Sequence, residues 1–188
     1  MKKKEDNADL KSQSLEDLRS IRKTCDRMME LIQDMMNYSS VEIKKLEKNN
    51  IDLEYLVAQC FEEQMKAYKD RTLDLEILPL PQITADIFLL KILITNILSN
   101  SIKFTREKES ARIRVFSKRK EGEIHLYFRD NGMGFDMNYA AHIFEPFSRL
   151  ENKEKYEGNG VGLATVKKYA DVYRDGLIFR LFREKAVK

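Results

Sequence analysis

The sequence predicts an α+β protein led by a long N-terminal helix, and three observations point there. Leu18, Ile21, Cys25, Met28, Ile32, Met35 and Ser39 recur three and four residues apart, the spacing of a heptad seam on one helix face. Farther along, Ile113 and Val115 alternate with polar residues, as do Ile124, Leu126 and Phe128, on either side of a turn at 118–122. Helical and strand-like stretches then mix without the strict alternation of a doubly wound sheet.

Taken in order, residues 1–13 are polar and are expected to fray. Ser14 followed by Asp17 reads as a capping-box start, and the helix is expected to run over about 14–43. Its wide apolar face needs a cover, and a second copy of the helix is favoured over packing on its own domain. After the polar run 44–50, Asp52 can cap a second helix whose face carries Leu56, Val57, Cys60, Phe61, Met65 and Tyr68. A short strand at 73–78 ends at Pro79 and Pro81, and Asp86 opens an apolar helix to about Phe104. The two alternating strands follow, then a glycine-bearing loop at 130–136 and a short helix near 137–146. A polar segment (147–160), a helix at 161–173 and a strand at 177–182 close the chain. The division expected is 1–46, tail and long helix, and 47–188, a compact domain.

Composition narrows the function. The charges nearly balance, 34 basic against 31 acidic for a formal +3, which gives a solvated surface and not the concentrated field of a nucleic-acid binder. Cys25 and Cys60 sit among apolar residues with no Cys-x-x-Cys or Cys/His cluster, so neither a zinc site nor a disulfide framework is indicated. The most apolar window, 87–98, is interrupted by Lys91 and Asn96 and is read as too short to span a bilayer. A cytoplasmic setting is expected, any membrane anchor lying in segments outside this chain.

The chemistry begins at Glu157-Gly158-Asn159-Gly160-Val161-Gly162-Leu163, three alternate glycines before an apolar run. Such a backbone can approach a ligand without Cβ atoms in the way. A Walker loop would need a Lys before its Ser or Thr, and a dinucleotide fingerprint would need its third glycine three places after the second; neither fits. Upstream, Asn96, Asn100 and Lys103 lie at i, i+4 and i+7, one face of the predicted apolar helix. Asp130-Asn131-Gly132-Met133-Gly134-Phe135 follows directly on a strand, and Ile143-Phe144-Glu145-Pro146-Phe147 precedes the glycine stretch.

In their order and spacing these four stretches resemble the N, G1, F and G2 boxes of the ATP-binding domain of sensor histidine kinases, in the GHKL superfamily that also holds gyrase. The resemblance covers about residues 28–176, with Asp86 where the family usually has an Asp. It implies a two-layer sandwich of a mixed β-sheet and helices that binds ATP and Mg²⁺. It also implies roles: Asn100, with Asn96 a turn away, as Mg²⁺ ligands, since amide oxygens are hard donors. Lys103 would meet a phosphate, and Asp130 would accept a bond from the adenine amino group. Gly132, Gly134 and Phe135 would form the turn against the base. Gly158, Gly160, Val161, Gly162 and Leu163 would form the far hinge of an ATP lid, with amides facing the phosphates. Arg149, in the lid itself, is the residue expected to reach the γ-phosphate. Catalytic duty would fall to Asn96, Asn100, Lys103 and Arg149.

One part of the family pattern is missing. The only histidines, His125 and His142, lie in neither a dimerisation helix nor the usual acceptor context, and both are read as surface residues. The long helix resembles the second dimerisation helix. The expected activity is thus transfer of the γ-phosphoryl of ATP to a histidine not present in this chain, so that the chain by itself is not expected to autophosphorylate. The partners implied are a histidine-bearing dimerisation segment, a response-regulator receiver domain in a two-component system, and a second copy through the N-terminal helix; nucleic acid is not among them. A nucleotide-dependent interaction module and an anti-sigma-type serine kinase are the alternatives.

Overall fold

The computed structural model describes residues 2–40, 46–68, 70–134, 142–148, 158–172 and 177–183. Two compact units divide it, Met1–Met36 and Asn37–Lys188.

The first unit is helix α1, which runs Lys2–Ser40 and so ends in the second unit. It starts earlier than Ser14 because nothing interrupts it: the chain contains no glycine or proline before Pro79. The seam residues are exposed in the single chain, Leu18 at 61%, Ile21 at 59%, Met28 at 57% and Met35 at 53%.

The second unit is α+β. Its main sheet has the order β2-β4-β5-β6, from Leu73–Ile77, Ala111–Lys120, Glu123–Asp130 and Leu177–Arg183. β2 is parallel to β4, β4 antiparallel to β5 and β5 parallel to β6, so the sheet is mixed. The β4–β5 connection is a two-residue turn with Glu121 at φ 51° and Gly122 at φ 87°, matching the twist of the hairpin. On one face, Ile113 and Val115 of β4 and Leu126 and Phe128 of β5 join the core.

Helices α2 (Leu53–Met65), α3 (Ile87–Phe104) and α4 (Gly162–Val172) form the second layer. Each has a physical start. Asp52 caps α2, its Oδ1 accepting from Tyr55 N at 3.0 Å. Asp86 caps α3 through bonds from Phe88 N and Leu89 N, and its second oxygen accepts from Glu47 N at 3.0 Å. Gly162 opens α4. Leu90, Leu93, Ile94, Ile97 and Ile102 of α3 are fully buried or nearly so, facing Val57 and Cys60 of α2 and Val166 and Tyr169 of α4 within one core. By length and composition α3, at 18 residues, is apolar enough to cross a membrane; the window 87–98 read from the sequence is shorter than this helix. Here the helix is the centre of the core.

Two strands were not anticipated. β1 (Lys48–Asp52) pairs antiparallel with β3 (Gln82–Asp86) in a separate two-stranded sheet. Polar sequence hid them: in Lys48–Asp52 only Ile51 is buried, so no alternation shows. The expected helix near 137–146 is represented, among the described residues, by one 3₁₀ turn, His142–Phe144.

Candidate functional site

The site grows from the C-terminal half of α3. Asn96, Asn100 and Lys103 are half-buried on one side of the helix, a turn apart. Asn96 Nδ2 donates to the Ile92 carbonyl at 2.9 Å, which leaves its amide oxygen turned toward α4.

The glycine stretch lies along this face. A Cβ at Gly158 would stand 2.9 Å from Lys103 Nζ, and one at Gly162 would stand 2.8 Å from Asn96 Oδ1 and 3.8 Å from Asn100 Nδ2. Gly158 and Gly160 have φ +147° and +72°, backbone that L residues rarely adopt. Val161 between them and α4 is buried and anchors the segment. The helix is packed on the core by Val166 and Tyr169, while Leu163 stays half-buried beside Gly162.

The F stretch joins the same hinge. Phe147 N donates to the Gly160 carbonyl at 3.0 Å, and a Cβ at Gly160 would meet Ser148 O at 2.7 Å. Phe147 itself sits at φ 64°, a costly conformation for a non-glycine residue, with its ring 56% exposed. Ile143 is the buried residue of this stretch.

At the other end of the face, Asp130 closes β5. Its Oδ1 accepts from Gly132 N at 2.9 Å and its Oδ2 from the Ser101 hydroxyl at 3.2 Å. Gly132 must be glycine, because a Cβ would lie 2.7 Å from Phe104 O and 2.8 Å from Asp130 Oδ1. Met133 N donates to Phe104 O at 3.2 Å, tying this turn to the end of α3. Asn131 braces it from the other side, accepting from Arg112 N and donating to Ser110 O. Gly134 follows at φ +66°.

One face of α3, which carries the N stretch, thus meets the G1 and G2 stretches directly and the F stretch through Gly160. Phe135 and Arg149 lie outside the described residues. Sequence reasoning passed over Ser101 and Thr105, buried polar residues of the same helix end, and Arg71, which reaches Thr105. The signal available was a pair of hydroxyl residues inside an apolar run, where each needs a partner.

Of the two histidines, His142 is exposed as expected. His125 is not: it is 7% exposed, its Nε2 3.3 Å from Glu123 Oε2 and its ring beside Tyr127. Strand β6 pairs alongside, His125 opposite Ile178, so β5 is interior to the sheet.

As to metal, among the described residues no group of three or more His, Cys, Asp or Glu side chains is gathered. A divalent ion at the α3 face would depend on the Asn amides and on phosphate oxygens of a bound nucleotide, a donor set that suits Mg²⁺, which keeps few protein ligands. The groove of about 340 Å³ between Pro79, Leu80, Pro81 and Arg119 lies at the opposite end of β4 and takes no part.

Comparison with known proteins agrees with this geometry. Residues 85–181 match the family described as histidine kinase-, DNA gyrase B-, and HSP90-like ATPase. The cyanobacterial phytochrome A of a Nostoc species is 31% identical over 147 residues, 78% of this chain and 19% of that protein. The sensor protein kinase WalK of Staphylococcus epidermidis is 27% identical, over 81% of this chain and 26% of its own length. Among solved structures, full-length ShkA in complex with AMPPNP aligns with TM-score 0.67 and 24% identity, over 81% of this chain and 32% of that one. The Acinetobacter baumannii histidine kinase AdeS aligns with TM-score 0.58 and 20% identity, over 82% of this chain and 72% of that one.

The chain belongs to the histidine kinase-, DNA gyrase B-, and HSP90-like ATPase family, and its fold is that of the ATP-binding domains of sensor histidine kinases. It spans about a fifth of the length of the first curated relatives it matches.

Proposed function

We propose that this chain is the ATP- and Mg²⁺-binding catalytic part of a two-component sensor histidine kinase, which transfers the γ-phosphoryl of ATP to a histidine on a dimerisation segment outside this chain. The observation that carries the reading is the meeting of Gly158 and Gly162 with Lys103, Asn96 and Asn100 on α3, whose C-terminal end holds Asp130.

Each residue then has a task. Asp130 accepts a bond from the exocyclic amino group of adenine, and Gly132 and Gly134 keep that approach clear. Lys103 offers a point charge to a phosphate. Asn100, with Asn96 behind it, supplies amide oxygens to Mg²⁺; when bound, the ion neutralises phosphate charge. The backbone from Gly158 to Leu163 presents amides at the start of α4, where anions are favoured. Arg149 supplies a second cation from the lid. Catalysis of this kind is mostly positioning and charge neutralisation.

In this reading residues 1–46 are a dimerisation-type helix and 47–188 the catalytic domain. The exposed seam of α1 supports pairing with a second copy, since burying such a stripe is what holds two heptad helices together. A receiver domain is the downstream partner, and the setting is cytoplasmic.

The test is γ-labelled ATP supplied with and without a histidine-bearing dimerisation fragment. Acid-labile label on the fragment supports the proposal. Acid-stable label on a protein substrate points to a serine kinase, and tight ATP binding without transfer to a nucleotide-controlled interaction module; either result overturns it.

A further inference from the structure

The end of α3 is held by a side chain that belongs to none of the four boxes. Arg71, between α2 and β2, directs its guanidinium back onto the helix. Nη1 donates to the Ile102 carbonyl at 2.5 Å, and Nη2 donates to the Thr105 hydroxyl at 2.9 Å. Having accepted that bond, the Thr105 hydroxyl donates its own proton to the Ser101 carbonyl at 2.7 Å. From the same residue, the Ser101 hydroxyl donates to Asp130 Oδ2. Thr105 is 0% and Ser101 4% exposed, so these bonds do not compete with water.

A helix ends with carbonyls that have no partner inside it. Here Arg71 takes the Ile102 carbonyl, Arg106 N takes that of Lys103 and Met133 N takes that of Phe104. The cap is therefore shared between a cation from ahead of β2 and the turn that follows Asp130. Arginine suits the task for two reasons. Its planar fork bridges a carbonyl and a hydroxyl at once, which the single ammonium of lysine does not do in a fixed geometry. Its charge also lies at the negative end of the helix dipole.

We propose that Arg71 is a positioning residue for base recognition: through Thr105 and Ser101 it fixes the last turn of α3 and with it the aim of the Asp130 carboxylate. This rests on the reading of Asp130 as the acceptor for the adenine amino group. A carboxylate held at both oxygens, by Gly132 N and Ser101, is aimed at an amino group and opposes a keto oxygen in the same place. A site built to bond an N–H group rejects an analogue that lacks it, but only while its own polar group cannot turn away. Loosening the cap frees that rotation. ATP then binds less well, and GTP is rejected less strongly.

The experiment measures the dissociation constants of ATP and GTP, with Mg²⁺, for the full chain and for Arg71→Lys, Ser101→Ala, Thr105→Val and Thr105→Ser. Ile83→Ala, a core change in β3 away from the site, serves as a control for lost stability. Arg71→Lys, Ser101→Ala and Thr105→Val are each expected to narrow the ATP-over-GTP ratio by about three- to tenfold. Thr105→Ser, which keeps the hydroxyl, retains the ratio, and so does Ile83→Ala despite its lower melting temperature. An unchanged ratio in Arg71→Lys, or an equal narrowing in Ile83→Ala, overturns the positioning role. Failure of the parent chain itself to prefer ATP overturns the reading of Asp130 instead, and the proposal with it. Should Arg71→Lys not fold, Arg71→Gln takes its place, because it keeps an N–H donor without the charge or the planar fork; an unchanged ratio in that variant overturns the positioning role.

Discussion

Gly162 and Asn96 face each other so closely that a Cβ on the glycine would come 2.8 Å from the asparagine Oδ1. The asparagine has little freedom to yield, since its Nδ2 is bonded to the Ile92 carbonyl. Gly162→Ala should therefore push the start of α4 off the α3 face. ATP affinity is expected to fall by about tenfold or more, as sub-ångström misplacement in such sites does, with a modest change in melting temperature. Calorimetric titration checks the affinity. Asn96→Ala in the same chain removes the obstacle, so the double variant should regain the melting temperature lost by Gly162→Ala. If Gly162→Ala binds ATP as the parent does, the start of α4 does not bound the nucleotide site.

Asp130→Asn should act on the base alone. The substitution keeps an oxygen for Gly132 N but replaces the charged acceptor facing the amino group. A charge-assisted bond contributes about 1.5–3 kcal/mol, so ATP affinity should drop by roughly one to two decades. Inorganic tripolyphosphate, which has no base, should bind the variant and the parent alike. Equal ATP affinity in the two chains would remove Asp130 from base recognition.

Asn96 and Asp130 were legible in the sequence for a reason that does not extend to the whole site. Asn96, Asn100 and Lys103 announce themselves because polar groups at helical spacing inside an apolar run need a purpose, and Asp130 because a glycine turn follows it directly. α3 and the β4–β5 hairpin were legible from caps and from period. What stayed hidden depends on contacts distant in sequence. Lys48–Asp52 becomes a strand only because β3 pairs with it, and one buried residue, Ile51, leaves no pattern. Arg71 sits in an unremarkable polar stretch, and only the folded chain brings it to Thr105, 34 residues away. His125 looked solvent-facing by alternation, but in the fold its ring lies beside Tyr127 and near the Glu123 carboxylate.

Asn100→Asp tests the phosphate end. The variant sets a carboxylate where a neutral amide stood, beside the backbone that would receive phosphate. Without metal the added negative charge repels the nucleotide, and with Mg²⁺ it binds the ion more strongly. The expected outcome is an ATP affinity that depends more steeply on Mg²⁺ than the parent's, while adenosine, which has no phosphate, binds both equally. Titrations in EDTA and in millimolar Mg²⁺ separate the two effects. An unchanged Mg²⁺ dependence would take Asn100 out of the metal site.

Tyr169 links the site's second helix to the end of α1. Its ring is fully buried, and its hydroxyl donates to the Asn37 carbonyl at 2.6 Å; next to it, the Lys168 ammonium lies 4.5 Å from the Tyr38 ring centre. Tyr169→Phe keeps the packing and leaves the carbonyl without this donor, at a cost of about 1 kcal/mol. For a chain of this size that is a melting temperature lower by roughly 2–4 °C. Thermal unfolding followed by circular dichroism reads it directly, and an unshifted transition would mean that the bond adds nothing in solution.

The two cysteines report separately on the two units. Cys60 is 0% exposed in the core of the second unit, and burial pushes its thiol pKa upward, the side-chain bond with Thr95 opposing this more weakly. The thiolate is the reactive form, so Cys60 should label only when α2 opens from the core. Cys25 is exposed on the heptad seam of α1. With a chromogenic disulfide reagent, one thiol should react quickly in dilute protein and the second only in denaturant. If two copies cover the seam, the Cys25 rate should fall as protein concentration rises, while the Cys60 rate stays constant. A Met28→Lys variant, which puts charge into the seam, should then restore fast labelling at high concentration. Fast Cys25 labelling at every concentration of the parent would show that a second copy does not cover this face.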